Sequence, residues 1–148
     1  MAFYRVEVKV GHRGKKRCGL MTLYVFAKGY SEAIGKVRRL PMVKHNSPSV
    51  TNKFETIEEG DFVSGVVRNP YFNVSKYEDR PITELSVISK ILPKVEEYQF
   101  ETEEGKQLVD FCNKHKNSKG EQKAYIERDF FEWAQNLLEE TVGDTAAI

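Results

Sequence analysis

The first apolar pattern in the chain has a period of two. In FYRVEVKV, Tyr4, Val6, Val8 and Val10 alternate with Arg5, Glu7 and Lys9, which predicts a strand with one face in water. The segment CGLMTLYVFA that follows is apolar at both parities and rich in β-formers, so it reads as a neighbouring strand covered on both faces. The two make a hairpin whose loop, about five to seven residues long, exceeds a tight two-residue turn.

From Ser31 the period lengthens. Ser31 as N-cap and Pro41 as a stop bound a short helix over 31–40, with Ala33, Ile34, Val37 and Leu40 on one side. Lys36 and Arg39 point away from that side, which makes the outer face basic. The polar loop KHNSPS leads to VTNKFETIEE, a third strand, and completes a β-hairpin, helix, strand unit.

The second half follows a helical period after an ambiguous start. EEGDFVSGVVRNPYF carries two glycines and fits a short helix or a strand. PITELSVISKIL sets Ile82, Leu85 and Ile88 at helical spacing before Pro93, and TEEGKQLVDFCNKHK predicts a helix with Leu108, Phe111 and Cys112 inward. Its acidic residues stand at the N-terminus, where the helix dipole favours them. In EQKAYIERDFFEWAQNLLEE, Ile126, Phe130, Trp133 and Leu137 form a narrow stripe, which Phe131 and Leu138 widen into a candidate partner surface. The tail VGDTAAI reads as frayed. The expectation is one α+β domain over 1–142: a basic ββαβ-like part, 1–75, packed with an acidic, mainly helical part, 76–142, and a tail over 143–148.

Composition supports a single core. A chain of 148 residues, 40% hydrophobic and 11% aromatic, can bury a continuous interior without staples. Cys18 and Cys112 belong to no CxxC or Cys/His ladder, so neither a disulfide framework nor a structural zinc is expected. The N-terminus lacks the apolar core of a signal peptide, and no run of about 18 apolar residues occurs, so a soluble, cytoplasmic protein with no membrane partner is expected.

Charge changes the picture more. The formal net of +1 conceals 12 Lys/Arg against only Glu7 and Glu32 in residues 1–53, a net of +10, and a net of −9 in residues 54–148. Such asymmetry points to a polyanionic partner, nucleic acid above all. The competing reading has the two halves facing and neutralising each other within the fold.

The densest cationic stretch is GHRGKKR at residues 11–17. GHRG fits the G-x-x-G pattern of KH loops, but those join two helices and this one joins two strands. It also lacks the spacing and the Ser/Thr of a P-loop. A basic hairpin tip can nonetheless hold phosphates, lysine acting as a point charge and arginine as a two-pronged donor. The candidate contacts are His12, Arg13, Lys15, Lys16 and Arg17 at the tip, with Lys36, Arg39 and Lys44 around the first helix.

Catalytic sets are harder to assemble. Glu7-Val8-Lys9 has the ExK spacing of a nuclease strand but no aspartate upstream to share a metal. The histidines His12, His45 and His115 are far apart in polar, loop-like settings and read as surface residues. No cofactor, metal or enzymatic activity is expected. Tyr71, Phe72 and Tyr77 beside Lys76 offer rings on which unpaired bases stack.

Two functions fit this pattern. The first is a non-catalytic nucleic-acid-binding protein, RNA ahead of DNA. The second is a protein-interaction or inhibitor module whose acidic half, through ETIEEGD, ETEEGK, Phe131 and Leu138, docks on a basic partner such as a nucleic-acid enzyme.

Overall fold

A computed structural model of the chain describes residues 2–10, 19–39, 51–68 and 82–146. β1 (Ala2–Val10) is the central strand of a three-stranded antiparallel sheet, flanked by β2 (Gly19–Ala27) and β3 (Thr51–Ile57) in the order β2-β1-β3. The register pairs Tyr4 with Val25 and Val6 with Leu23, which brings these four, with Val8 and Ala27, onto one face. Helix α1 (Tyr30–Arg38) covers that face with Ala33 and Val37, both fully buried. Phe54 of β3 extends the layer, its ring 4.8 Å from that of Tyr4.

The opposite parity begins with Phe3 paired to Phe26. These residues, with Tyr24 and Ile57, pack into the main core, built by α2 (Glu59–Val67), α3 (Leu85–Ile91), α4 (Glu103–Lys116) and α5 (Glu121–Ala146). β2 is therefore covered on both faces, as its two-parity apolar run predicts. Further along β1 the same face turns polar, where Arg5 pairs with Glu55 and Glu7 with Lys53 across the β3 ladder. The Arg5 Nε donates to Glu55 Oε1 at 2.5 Å, which holds the arginine pKa up and the glutamate pKa down. The fold is α+β, an N-terminal hairpin, helix and strand unit packed with a mainly helical C-terminal half.

Several local expectations shift. The ambiguous segment is the helix α2, with Phe62, Val63, Val66 and Val67 buried. Its Gly65 is a packing device: a Cβ there would lie 2.2 Å from the Tyr24 ring, so only glycine lets α2 rest on β2. Ser31 is not the N-cap of α1. Gly29 holds that position, its carbonyl accepting from the Ala33 N–H at 3.0 Å, and Ser31 falls inside the first turn. Ile82 precedes α3 and is buried beside the bridge to Arg68. α4 opens on Thr102, whose hydroxyl accepts from the Gly105 N–H at 3.1 Å. Gly120, at φ +60, turns the chain from α4 into α5. The α5 backbone stays helical to Ala146, past the expected boundary at 142, because Gly143 costs only about 1 kcal/mol in a helix that is already propagating.

Among the described residues no helix is long and apolar enough to cross a membrane. The hairpin tip with His12, Arg13, Lys15, Lys16 and Arg17 lies outside the described residues, as do Lys44, His45, Cys18 and the Tyr71–Tyr77 aromatic group.

Candidate functional site

β2 is an edge strand, and a cleft of about 350 Å³ opens along it. α1 supplies one wall through Lys36 and Arg39. The other comes from the end of α3 and the segment beyond it, through Lys90 and Lys94 on either side of Pro93. Leu23, Ile91 and Leu92 contribute apolar lining.

Each cation is held by a different local cause. Lys36 stands one helical turn after Glu32, 3.6 Å from its carboxylate, and its Nζ donates to the Phe26 carbonyl at 2.6 Å. The carbonyl of Phe26 thus points out of the sheet. Along a strand the backbone groups of alternate residues share a side, so Tyr24 presents its N–H and C=O in the same direction. A lysine closing part of a sheet edge blunts its tendency to pair with another strand. Helical spacing alone places Lys36 away from the apolar side; its long stem instead bends back to β2, and the ammonium is half-buried.

Arg39, at the C-cap of α1, is exposed. Lys90 is exposed in the last turn of α3, and Lys94 opens a turn in which its carbonyl accepts from the N–H groups of Glu97 and Tyr98. Among the described residues Arg39, Lys90 and Lys94 form no ion pair. Glu97 is the one carboxylate in the lining, and its side chain accepts from the Lys94 N–H at 3.4 Å. The cleft is net cationic. It unites Lys36 and Arg39 from the basic part with two lysines from the acidic part that the sequence reading did not single out. Their signal is KILPK, two lysines four apart around a helix stop.

The acidic clusters are partly consumed inside the fold. Glu59, from ETIEEGD, accepts from the Thr102 N–H at 2.6 Å, the Glu101 N–H at 3.0 Å and the Tyr98 hydroxyl, and so ties α2 to the start of α4. Burial alone would raise the Glu59 pKa, but the donors from Thr102, Tyr98 and Glu101 outweigh it and the net shift is downward. Burial and the same carboxylate push Tyr98 up to about 12.

His115 departs from the surface reading. It is 6% exposed on the last turn of α4, its Nε2 lying 2.8 Å from Glu127 Oε1 on α5. The same pair of helices is joined by the Trp133 indole, which donates to Gln107 at 2.7 Å. Cys112 is buried, and burial raises its thiol pKa. Phe131 is 38% exposed, while Leu138 is half-buried against the main core, so the two do not present one uniform strip. No group of three His, Cys, Asp or Glu side chains is arranged to hold a metal among the described residues.

Comparison with protein-family models, curated proteins and solved structures gives no match.

Proposed function

We propose that this chain is a non-catalytic nucleic-acid-binding protein that holds a phosphate backbone in the cationic cleft along β2. The observation that carries the reading is the convergence of Lys36, Arg39, Lys90 and Lys94 on one apolar-floored groove. Three of these cations have no carboxylate partner among the described residues, so they are available to phosphate oxygens at little cost in internal pairing. The exposed Arg39 guanidinium in the lining offers a plane on which unpaired bases stack, and double helices keep their bases stacked away, so single-stranded RNA is the favoured ligand. His12, Arg13, Lys15, Lys16, Arg17 and Lys44 remain further candidate phosphate contacts on their charge alone.

Fluorescence anisotropy with a labelled single-stranded RNA tests the proposal. With about three phosphates neutralised, log K should fall against log salt with a slope of about −2. Arg39→Glu, Lys90→Glu and Lys94→Glu combined should weaken binding at least about tenfold, equivalent to about 1.4 kcal/mol. The reversal of Lys123, on α5 away from the cleft, should leave it unchanged. Equal affinity of the triple variant and the parent protein overturns the assignment of the cleft; loss confined to Lys15→Glu, Lys16→Glu and Arg17→Glu moves the site to the hairpin.

A further inference from the structure

The second edge of the sheet lies at β3, and it is unlike the first. At β2 the edge lines the cleft, and Lys36 covers the Phe26 carbonyl. At β3 no further strand pairs among the described residues. Lys53, Glu55 and Thr56 are exposed there, and Phe54 is half-buried.

The Lys36 bond fixes which backbone groups of β3 face outward. The Phe26 carbonyl points away from β1, so Phe3 and Phe26 stand opposite each other without ladder bonds, and such bonds alternate along an antiparallel pair. Tyr4 and Val6 therefore bond to β2, while Phe3, Arg5 and Glu7 bond to their β3 partners Ile57, Glu55 and Lys53. Phe54 and Thr56, which alternate with those partners, turn their N–H and C=O groups outward. No backbone hydrogen bond from another element reaches them among the described residues. An edge of this kind is a template for a further strand.

The sequence of β3, TNKFETI, is complementary to itself. Antiparallel pairing about Phe54 sets Lys53 opposite Glu55 of the partner subunit, and symmetry repeats the pair. These are positions without ladder bonds, where opposed side chains approach most closely. Arg5 engages Glu55 Oε1, and a carboxylate has a second oxygen for the lysine. Registers centred on Lys53 or Glu55 instead set like charges opposite each other, which selects the one centred on Phe54. On the other face of the sheet Tyr30, 57% exposed, lies 4.7 Å edge-on from the Phe54 ring, an aromatic pair that a second copy covers. We infer that β3 pairs with the β3 of a second copy of this chain, antiparallel about Phe54, giving a symmetric dimer with one six-stranded sheet. Both clefts then lie at the outer edges of that sheet, and the dimer contacts share no residue with them.

Sedimentation equilibrium of the full chain, without nucleic acid, tests it. The expected result is a reversible monomer–dimer equilibrium, with the Phe54 and Thr56 amides gaining protection from hydrogen exchange as concentration rises. Lys53→Glu sets two glutamates against each other across the two-fold, and Glu55→Lys two lysines, so each variant alone should dimerise at least about tenfold more weakly than the parent. Mixed together, the two variants restore opposite charges at both pairs and should form a heterodimer. A parent chain that stays monomeric across the concentration series overturns the inference. So does a dimer whose Phe54 and Thr56 amides stay unprotected, a pair of charge variants that associate as the parent does, or a mixture no more associated than its components.

Discussion

On one face of the sheet a nine-residue helix, α1, covers six strand residues with little more than Ala33, Val37 and half-buried Ile34. On the other, four helices enclose a cluster of rings: Phe3 lies 4.4 Å from Phe62, 4.9 Å from Tyr98 and 5.1 Å from Phe26, and Tyr98 lies 5.3 Å from Phe100. The thin layer is mostly aliphatic, with Tyr4 and Phe54 as its rings, and is confined to the first 57 residues, while the thick one gathers residues from both ends of the chain. The cationic cleft is built from both, since Lys36 and Arg39 ride on the thin layer and Lys90 and Lys94 on the thick one. Global stability therefore belongs to the ring cluster, and the cleft depends on α1 for one of its two walls.

Substitutions can break this comparison. Phe62→Ala, at a fully buried position of the ring cluster, should cost about 3–5 kcal/mol and lower the melting temperature of the whole domain. Val37→Ala should cost about 2 kcal/mol, and hydrogen exchange should accelerate in α1 well before α2 or α4 follows. Equal and global effects from the two variants would erase the distinction between layers.

Glu59→Gln should cost about 1 kcal/mol at neutral pH, a low figure for a charged acceptor because the group is only partly withdrawn from solvent. Its folded pKa is below the unfolded one, so the carboxylate's contribution is complete above the ordinary glutamate range and is lost as pH falls through the depressed folded value. Denaturation curves of parent and variant should converge on acidification. The smallest effect belongs to Arg5→Gln: its partner Glu55 is 52% exposed, and the melting temperature should hardly move.

Much of the fold was legible because its signals are local. The alternation in β1, the two-parity run in β2 and the stripe through Ile126, Phe130 and Trp133 each state a period and a face. α2 was ambiguous because Gly60 and Gly65 look like strand or turn punctuation, whereas Gly65 answers to the Tyr24 ring on another element. His115 was misread from its polar neighbours Lys114 and Lys116, although Leu108, Cys112 and His115 follow the i, i+4, i+7 spacing of a buried face. Half of the cleft was not legible at all. Lys90 and Lys94 lie in the acidic part of the chain, and their approach to β2 is a product of tertiary packing that no spacing announces.

The bond from Lys36 to the Phe26 carbonyl carries a lesson in electrostatic accounting. A formula counts this side chain as a full outward unit of charge, yet its ammonium is anchored to a peptide oxygen and sits beside Glu32, much as Arg5 is anchored to Glu55. The potential met by an approaching polyanion is accordingly smaller than the tally over the first 53 positions suggests, and within the cleft the cations that form no ion pair among the described residues are Arg39 and the two lysines flanking Pro93.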